Sequence, residues 1–247
     1  MSIGAEVPRD RAKRLLTGRG RFVDDIQLPR MLHLAFVRSP YAHARIEAID
    51  TAGAISMPGV IAVYTAKELE DAVSSWRPEH KLFPTMAAPE QHALAKETAR
   101  WQGEAVAAVV AESRAQAEDA AEHVAVTWHE LPAVTDAKAA LATDAAVLHD
   151  DMTTNLAFST EIVTGDVALA FRDAAHVVEE HFRFNRHSGV SLEPRGIIAE
   201  FEPGENRLTV HQSHQTPHQQ QDLYARLLAL PEHKVRVICP DVGGAFG

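Results

Sequence analysis

Apolar residues along the chain gather into short runs separated by polar, charged and turn-forming residues. MLHLAFV (31–37), GVIAVYT (59–65), AVAAVVAE (105–112) and HVAVTWHE (123–130) are rich in β-branched and aromatic side chains and predict strands. Helices are expected between them. Thr65 followed by Glu68 has capping-box spacing ahead of LEDAV, and Ser113 followed by Gln116 has it ahead of AEDAAEHV. Strands and helices thus interleave, which predicts an α+β first half.

The stretch LPAVTDAKAALATDAAVLHDD (131–151) shows no strand period and is rich in Ala and Asp, as suits a connector. The expected division is a first domain with an N-terminal arm over 1–135, a linker over 136–150 and a second domain over 151–247. In the second domain the pattern predicts a short helix from Asp166 and strands at 175–184, 196–202 and 207–212, the last two joined by the turn Pro203-Gly204-Glu205-Asn206. A helix from Thr216 to Leu230 follows, with Thr216 as N-cap, Pro217 at the first helical position and Gln219 three residues after the cap. Leu223, Tyr224, Leu227 and Leu228 share one face of it, and Pro231 is expected to end it. A strand KVRVIC (234–239) then leads into Pro240-Asp-Val-Gly-Gly-Ala-Phe-Gly247.

Composition narrows the classes of function. With 247 residues, 46% hydrophobic and 23% charged, the chain exceeds the usual size of one compact domain and can bury a core. The formal net charge of -10 and the lack of a basic cluster argue against nucleic acid and anionic membrane as partners. Charges in MSIGAEVPRDRAKRLL stand where a signal peptide needs an apolar stretch, and no segment is apolar for the length of a bilayer, so a cytoplasmic protein is expected. Cys239 is the single cysteine, which excludes an internal disulfide or a cysteine-held zinc or iron-sulfur site within these residues.

The candidate chemistry lies toward the C-terminal end. A glycine pair after a strand, Gly243-Gly244, lets backbone approach a ligand closely and aim N–H groups at oxygen atoms, although an ordinary turn carries the same signal. It has neither dinucleotide-fingerprint nor P-loop spacing. His211, His214 and His218 invite a zinc reading, but strand, turn and helix positions do not imply convergence. Gln215, at the tip between strand and helix, can reach into a cleft as donor or acceptor, or be a solvated loop residue. His187 and Glu193 are open to two readings, an acid/base pair or a structural ion pair, and Cys239 reads as a small buried apolar residue.

Read in order, these blocks carry more than any one of them. RLLTGRGRFVDDIQLPRMLHLAFVRSPYAHARIEAIDTAGAISMPGVIAVYTAKEL (14–69) resembles the opening of the molybdenum-binding large subunit of the xanthine dehydrogenase, aldehyde oxidase and carbon monoxide dehydrogenase family. RWQGEAVAAVVAESRAQAEDAAEHVAVTWHELPAV (100–134) resembles the end of its α/β-hammerhead domain, and 165–202 with 214–247 resemble the start of its first cofactor-binding domain.

The resemblance implies an α/β-hammerhead domain followed by the start of a molybdenum-cofactor-binding α+β domain. It also implies a molybdenum hydroxylase that oxidises an aldehyde, an N-heteroaromatic or a related small substrate with oxygen derived from water. Carried onto this sequence, Gln215 is expected to hydrogen-bond the apical oxo ligand of molybdenum, and Gly243, Gly244, Ala245, Phe246 and Gly247 to lie against the cofactor, with Phe246 beside the metal. The cofactor implied is molybdenum-molybdopterin, in the cytosine dinucleotide form. Iron-sulfur clusters and FAD are expected on partner subunits, an iron-sulfur subunit and an FAD subunit.

Two positions depart from the family pattern: Ala245 stands where many relatives have a third glycine, and Arg30 replaces a turn glycine. The family's catalytic glutamate, later cofactor loops and substrate contacts follow the glycine loop. The chain is therefore expected to be a fragment or one part of a split subunit, inactive alone and completed by the remainder of the large subunit. The alternative is a non-catalytic assembly module that docks partner subunits.

Overall fold

The computed structural model describes residues 3–4, 12–185 and 187–246. Helix α1 (Ala12–Leu16) is followed by strands β1 (His33–Arg38) and β2 (Ala44–Asp50), helix α2 (Ala52–Ile55), strand β3 (Val60–Thr65) and helix α3 (Ala66–Leu69). Then come β4 (Thr98–Ala99), β5 (Ala105–Ala111), α4 (Arg114–Ala121), β6 (Ala125–Glu130), α5 (Val167–Asp173), β7 (Ile197–Glu202), β8 (Arg207–Gln212), α6 (Pro217–Leu227) and β9 (Val235–Ile238). The chain divides into two compact units, one made of residues 32–186 and the other of residues 1–31 with 187–247. No helix among the described residues is long and apolar enough to cross a membrane.

The 32–186 unit holds two antiparallel three-stranded sheets, ordered β1-β5-β3 and β4-β2-β6. The unbroken apolar run of β5 makes it the central strand of its sheet, with Val106, Ala107 and Val109 fully buried. Helix α4 presents Ala117 and Ala120, small enough for close approach, to a core containing Ala54, Ala107, Val109 and Val124. Both expected helix starts form: Thr65 Oγ1 accepts from Lys67 N while Thr65 N donates to Glu68, and Ser113 Oγ accepts from Gln116 N. The segment after β6 is irregular and held by side-chain to backbone bonds. Arg100 donates to Leu148 O at 2.9 Å, and Asn155 Nδ2 donates to Ala146 O at 2.9 Å.

The run 175–184, expected to be a strand, forms none. Val177, Val178, Phe182 and Phe184 stand exposed there, and no strand among the described residues pairs with them. β-branched and aromatic residues suit a run to a sheet but do not supply the neighbour whose N–H and C=O groups complete the ladder.

In the other unit, β7 and β8 form an antiparallel hairpin from Ile197↔Gln212 to Glu202↔Arg207. Its turn places Asn206 at φ 51°, a left-handed conformation that Asn tolerates. Strand β9 lies parallel to β8, Leu208 opposite Val235 and His211 opposite Ile238, so α6 is the crossover of a β-α-β unit. Ala225, Tyr224, Leu228 and Leu230 pack on Leu208, Val210 and Val235. Helix α6 ends before Pro231 because Ala229 turns to φ 51° and Leu230 N donates back to Ala225 O at 2.9 Å, a Schellman-type closure.

Arg30 occupies the third position of the turn Leu28–Met31, closed by Met31 N donating to Leu28 O at 3.2 Å. Its φ of 60° is the value that makes glycine favourable at this position of a type II turn. Arg30→Gly is therefore expected to stabilise the protein. It relieves about 1–2 kcal/mol of left-handed strain, against about 0.5–1 kcal/mol of added chain entropy. The check is the chemical-denaturation midpoint, which should rise; a fall would show that the arginine side chain holds this turn.

Candidate functional site

Strands β8 and β9 are adjacent and parallel, so their carboxyl ends open on the same edge of the sheet. The loop carrying Gln215 leaves β8 there, and the loop 239–246 leaves β9 beside it. Loops at the carboxyl ends of parallel strands are where such sheets bind ligands, and here that edge collects the two segments with the richest candidate chemistry. Gln215 is exposed, as a side chain that meets a ligand must be.

The expected cap on α6 is built differently. Thr216 makes no side-chain capping bond; instead its N–H donates to His214 Nδ1 at 3.1 Å, with Thr216 Oγ1 3.0 Å from the same nitrogen. The hydroxyl that capping would offer to the N–H groups of His218 or Gln219 lies against the His214 imidazole instead. The result still pins the backbone on the C-terminal side of Gln215. On its other side, Ser213 Oγ donates to Glu193 Oε2 at 2.6 Å.

Two glycines shape the second loop. Gly244 has φ 128°, and a Cβ there would lie 2.9 Å from Phe246 Cε2 and 3.0 Å from Ser191 Oγ. At Gly243 a Cβ would meet Glu193 Cβ at 2.3 Å, and its N–H donates to Glu193 Oε2 at 2.6 Å. Gly243 thus spends its donor inside the protein, which leaves Gly244, Ala245 and Phe246 as the positions whose backbone can face a ligand. Ala245 is exposed and is not in the positive-φ region, so the alanine in place of glycine requires no strain. Phe246 is 76% exposed at φ 54°, a large apolar side chain on a left-handed backbone. Gly247 lies outside the described residues.

The loop is anchored behind by two carboxylates. Glu193 Oε1 accepts from Val23 N at 3.2 Å, so the oxygens of this side chain bind backbone and hydroxyl donors in a structural arrangement. Asp241, 8% exposed, accepts from Arg14 Nη2 at 2.5 Å and from Arg21 N at 2.7 Å. The Asp241 bond holds the Arg14 guanidinium pKa above its ordinary value. Sequence reading did not single out Arg14, Ser213 or Asp241. Their partners are 227, 20 and 220 residues away along the chain, beyond any local pattern.

Beneath the site, Tyr224 Oη donates to Gln212 Oε1 at 2.6 Å, while the buried Gln212 Nε2 has no hydrogen-bond partner. Burial pushes the Tyr224 hydroxyl and the Cys239 thiol above their ordinary pKa values, so Cys239 stays a neutral, half-buried thiol and a poor nucleophile. His211 lies on β8, His214 in the loop and His218 is exposed on α6; among the described residues no group of three or more His, Cys, Asp or Glu side chains is placed to hold a metal ion.

The exposed positions of the two loops thus offer neutral donors, a side-chain amide and backbone N–H groups at a glycine turn, beside the apolar face of Phe246. That set suits an oxygen-rich cofactor bound through its own ligands rather than a metal ion bound directly by protein.

Comparison with known proteins agrees with this organisation. Residues 17–132 match the family model for the aldehyde oxidase and xanthine dehydrogenase a/b hammerhead domain, and residues 148–247 match the model for the molybdopterin cofactor-binding domain. The chain is 38% identical to the nicotine 6-hydroxylase large subunit of Paenarthrobacter nicotinovorans, over 99% of this chain and 30% of that protein. It is likewise 38% identical to the carbon monoxide dehydrogenase large chain of Hydrogenophaga pseudoflava, over 97% of this chain and 31% of the relative. Among solved structures, quinoline 2-oxidoreductase from Pseudomonas putida 86 superimposes with a TM-score of 0.91 at 39% identity, covering 99% of this chain and 31% of that one. The chain spans about 30% of the length of these relatives. With both domain models matched in order, the chain belongs to the xanthine dehydrogenase, aldehyde oxidase and carbon monoxide dehydrogenase family, and carries the hammerhead domain and the start of the molybdenum-cofactor-binding domain of its large subunit.

Proposed function

We propose that this chain supplies the first cofactor-contacting segment of a molybdenum hydroxylase that oxidises an aldehyde, an N-heteroaromatic or a related small substrate with oxygen from water. The observation that carries the reading is the placement of Gln215 and the Gly243–Phe246 loop on the carboxyl edge of two adjacent parallel strands. Gln215 is the residue that would hydrogen-bond an oxygen of the cofactor, adding no charge beside the metal. Gly244 and Ala245 would offer backbone N–H groups, and Phe246 an apolar face that excludes water. When bound, molybdopterin with its molybdenum supplies the redox chemistry; the protein supplies binding and orientation. The reading includes the cytosine dinucleotide form of the cofactor, electron transfer to iron-sulfur and FAD subunits, and a cytoplasmic location. It also includes a hammerhead domain over 1–135, a linker over 136–150 and a cofactor domain that begins at 151.

The relatives are about three times as long, so the rest of such a site is proposed to come from the remainder of the large subunit, on the same or another polypeptide. The 247 residues expressed alone are then expected to hold no pterin and to turn over no aldehyde, because a site assembled from several segments loses most of its contacts when some are missing. The test is metal and pterin analysis of the natively purified complex beside the isolated chain. Molybdenum in the complex supports the reading; a complex without it points to the assembly-module alternative, and aldehyde turnover by the isolated chain would show that these residues form a complete site.

A further inference from the structure

One carboxylate joins the two loops of the site. Glu193 Oε2 accepts from Gly243 N and from Ser213 Oγ, each at 2.6 Å, and Oε1 accepts from Val23 N at 3.2 Å. Gly243 opens the glycine loop, and Ser213 stands two residues before Gln215. A single oxygen atom therefore sets the spacing between the two segments proposed to meet the cofactor. The approach is close enough that a Cβ on Gly243 would lie 2.3 Å from Glu193 Cβ and 3.2 Å from Glu193 N, so the glycine and the glutamate fit as a pair. Hydrogen bonds to an ionised acceptor are the stronger kind, and three of them on one side chain restrict three chain segments at once.

We propose that Glu193 is a positioning residue for the cofactor. Its carboxylate holds Gly243 and Ser213 so that the backbone of Gly244–Phe246 and the amide of Gln215 are presented together, with Val23 as a third anchor. This rests on the cofactor reading above. Glu193 acts through its neighbours and not by touching the ligand. A constellation of this kind needs its parts held to about 0.5 Å, which exposed loops do not achieve without such support.

Glu193→Gln keeps the size and removes one acceptor, setting an N–H group against at least one of the donors. The variant is made in the complete polypeptide, purified with its partner subunits. Circular dichroism and subunit co-purification are expected to match wild type. Amide exchange in peptides covering 213–216 and 241–246 is expected to accelerate by roughly ten- to a hundredfold, the scale of losing hydrogen bonds to a charged group. Turnover per bound molybdenum should fall by up to roughly a hundredfold through kcat, with KM much less changed, as misplacement of reacting groups predicts.

Ser213→Ala, which leaves the carboxylate in place, should accelerate exchange at 213–216 alone and lower kcat less, and it carries the test if Glu193→Gln does not fold. Unchanged exchange in both loops overturns the proposal, as does faster exchange with wild-type kcat per molybdenum. Wild-type protein purified without molybdenum overturns the cofactor reading and the presentation role with it, whatever the exchange rates.

Discussion

Gly244→Val is expected to remove the cofactor from the protein while leaving the β7-β8-β9 sheet folded. At φ 128° the backbone of Gly244 lies where L side chains are rarely found, and holding one there costs about 1–3 kcal/mol before any collision is counted. The collisions follow. The first carbon of the new side chain would lie 2.9 Å from Phe246 Cε2 and 3.1 Å from Ser191 Cβ, and valine branches at that carbon. The segment 189–193 cannot retreat freely, because Glu193 is tied to Val23, Ser213 and Gly243. The loop moves instead, taking the Ala245 and Phe246 backbone with it. Each 1.4 kcal/mol is a factor of ten in affinity, so molybdenum per subunit should drop by roughly tenfold or more. Ala245→Gly, at an exposed position outside the positive-φ region, should keep near wild-type content. Equal molybdenum in the two variants would mean that the loop does not meet the cofactor.

Gln215→Ala is expected to leave folding and assembly intact and to lower turnover by roughly ten- to a thousandfold, the range for loss of one preorganised donor. The side chain is exposed, so its removal empties no core. Its backbone remains pinned by Ser213 on one side and by the His214–Thr216 contact on the other. Gln215→Glu should be worse, since a carboxylate would face an oxygen-rich ligand with like partial charge unless it took up a proton. Steady-state turnover normalised to bound molybdenum distinguishes the cases. Wild-type rates in both variants would return Gln215 to the status of a solvated loop residue.

The sequence made some of this legible and hid the rest for identifiable reasons. Strands β1, β3, β5, β6, β7, β8 and β9 coincide with apolar runs; packing imposes the pattern on all of these but β7, whose side chains are almost all exposed. Strand β2 escaped because its register shifts between Ile46 and Ala48, and a bulge sets its isoleucines out of the two-residue period. The run 175–184 carries a strand pattern without a strand, since a ladder depends on a partner that local periodicity does not encode.

At the site, the glycine pair and Gln215 were visible as local motifs. The carboxylates behind them were not. Glu193 suggested an acid/base or ion pair with nearby His187, whereas the bonds that fix its role come from residues distant in sequence. The α6 cap shows the same limit on a smaller scale: Thr216 has the right type and spacing, yet its hydroxyl lies against the neighbouring His214 imidazole. Arg30 is the converse, since its departure from an expected glycine marked a residue that the structure holds at φ 60°.

The most direct test of the central claim is to locate molybdenum in crystals of the natively purified complex by anomalous scattering at its absorption edge. The reading predicts one molybdenum peak per copy of this chain, beyond the carboxyl ends of β8 and β9 and within contact of the Gln215 side chain and the Gly244–Phe246 backbone. A molybdenum peak elsewhere, or none, in a complex that hydroxylates its substrate would contradict it.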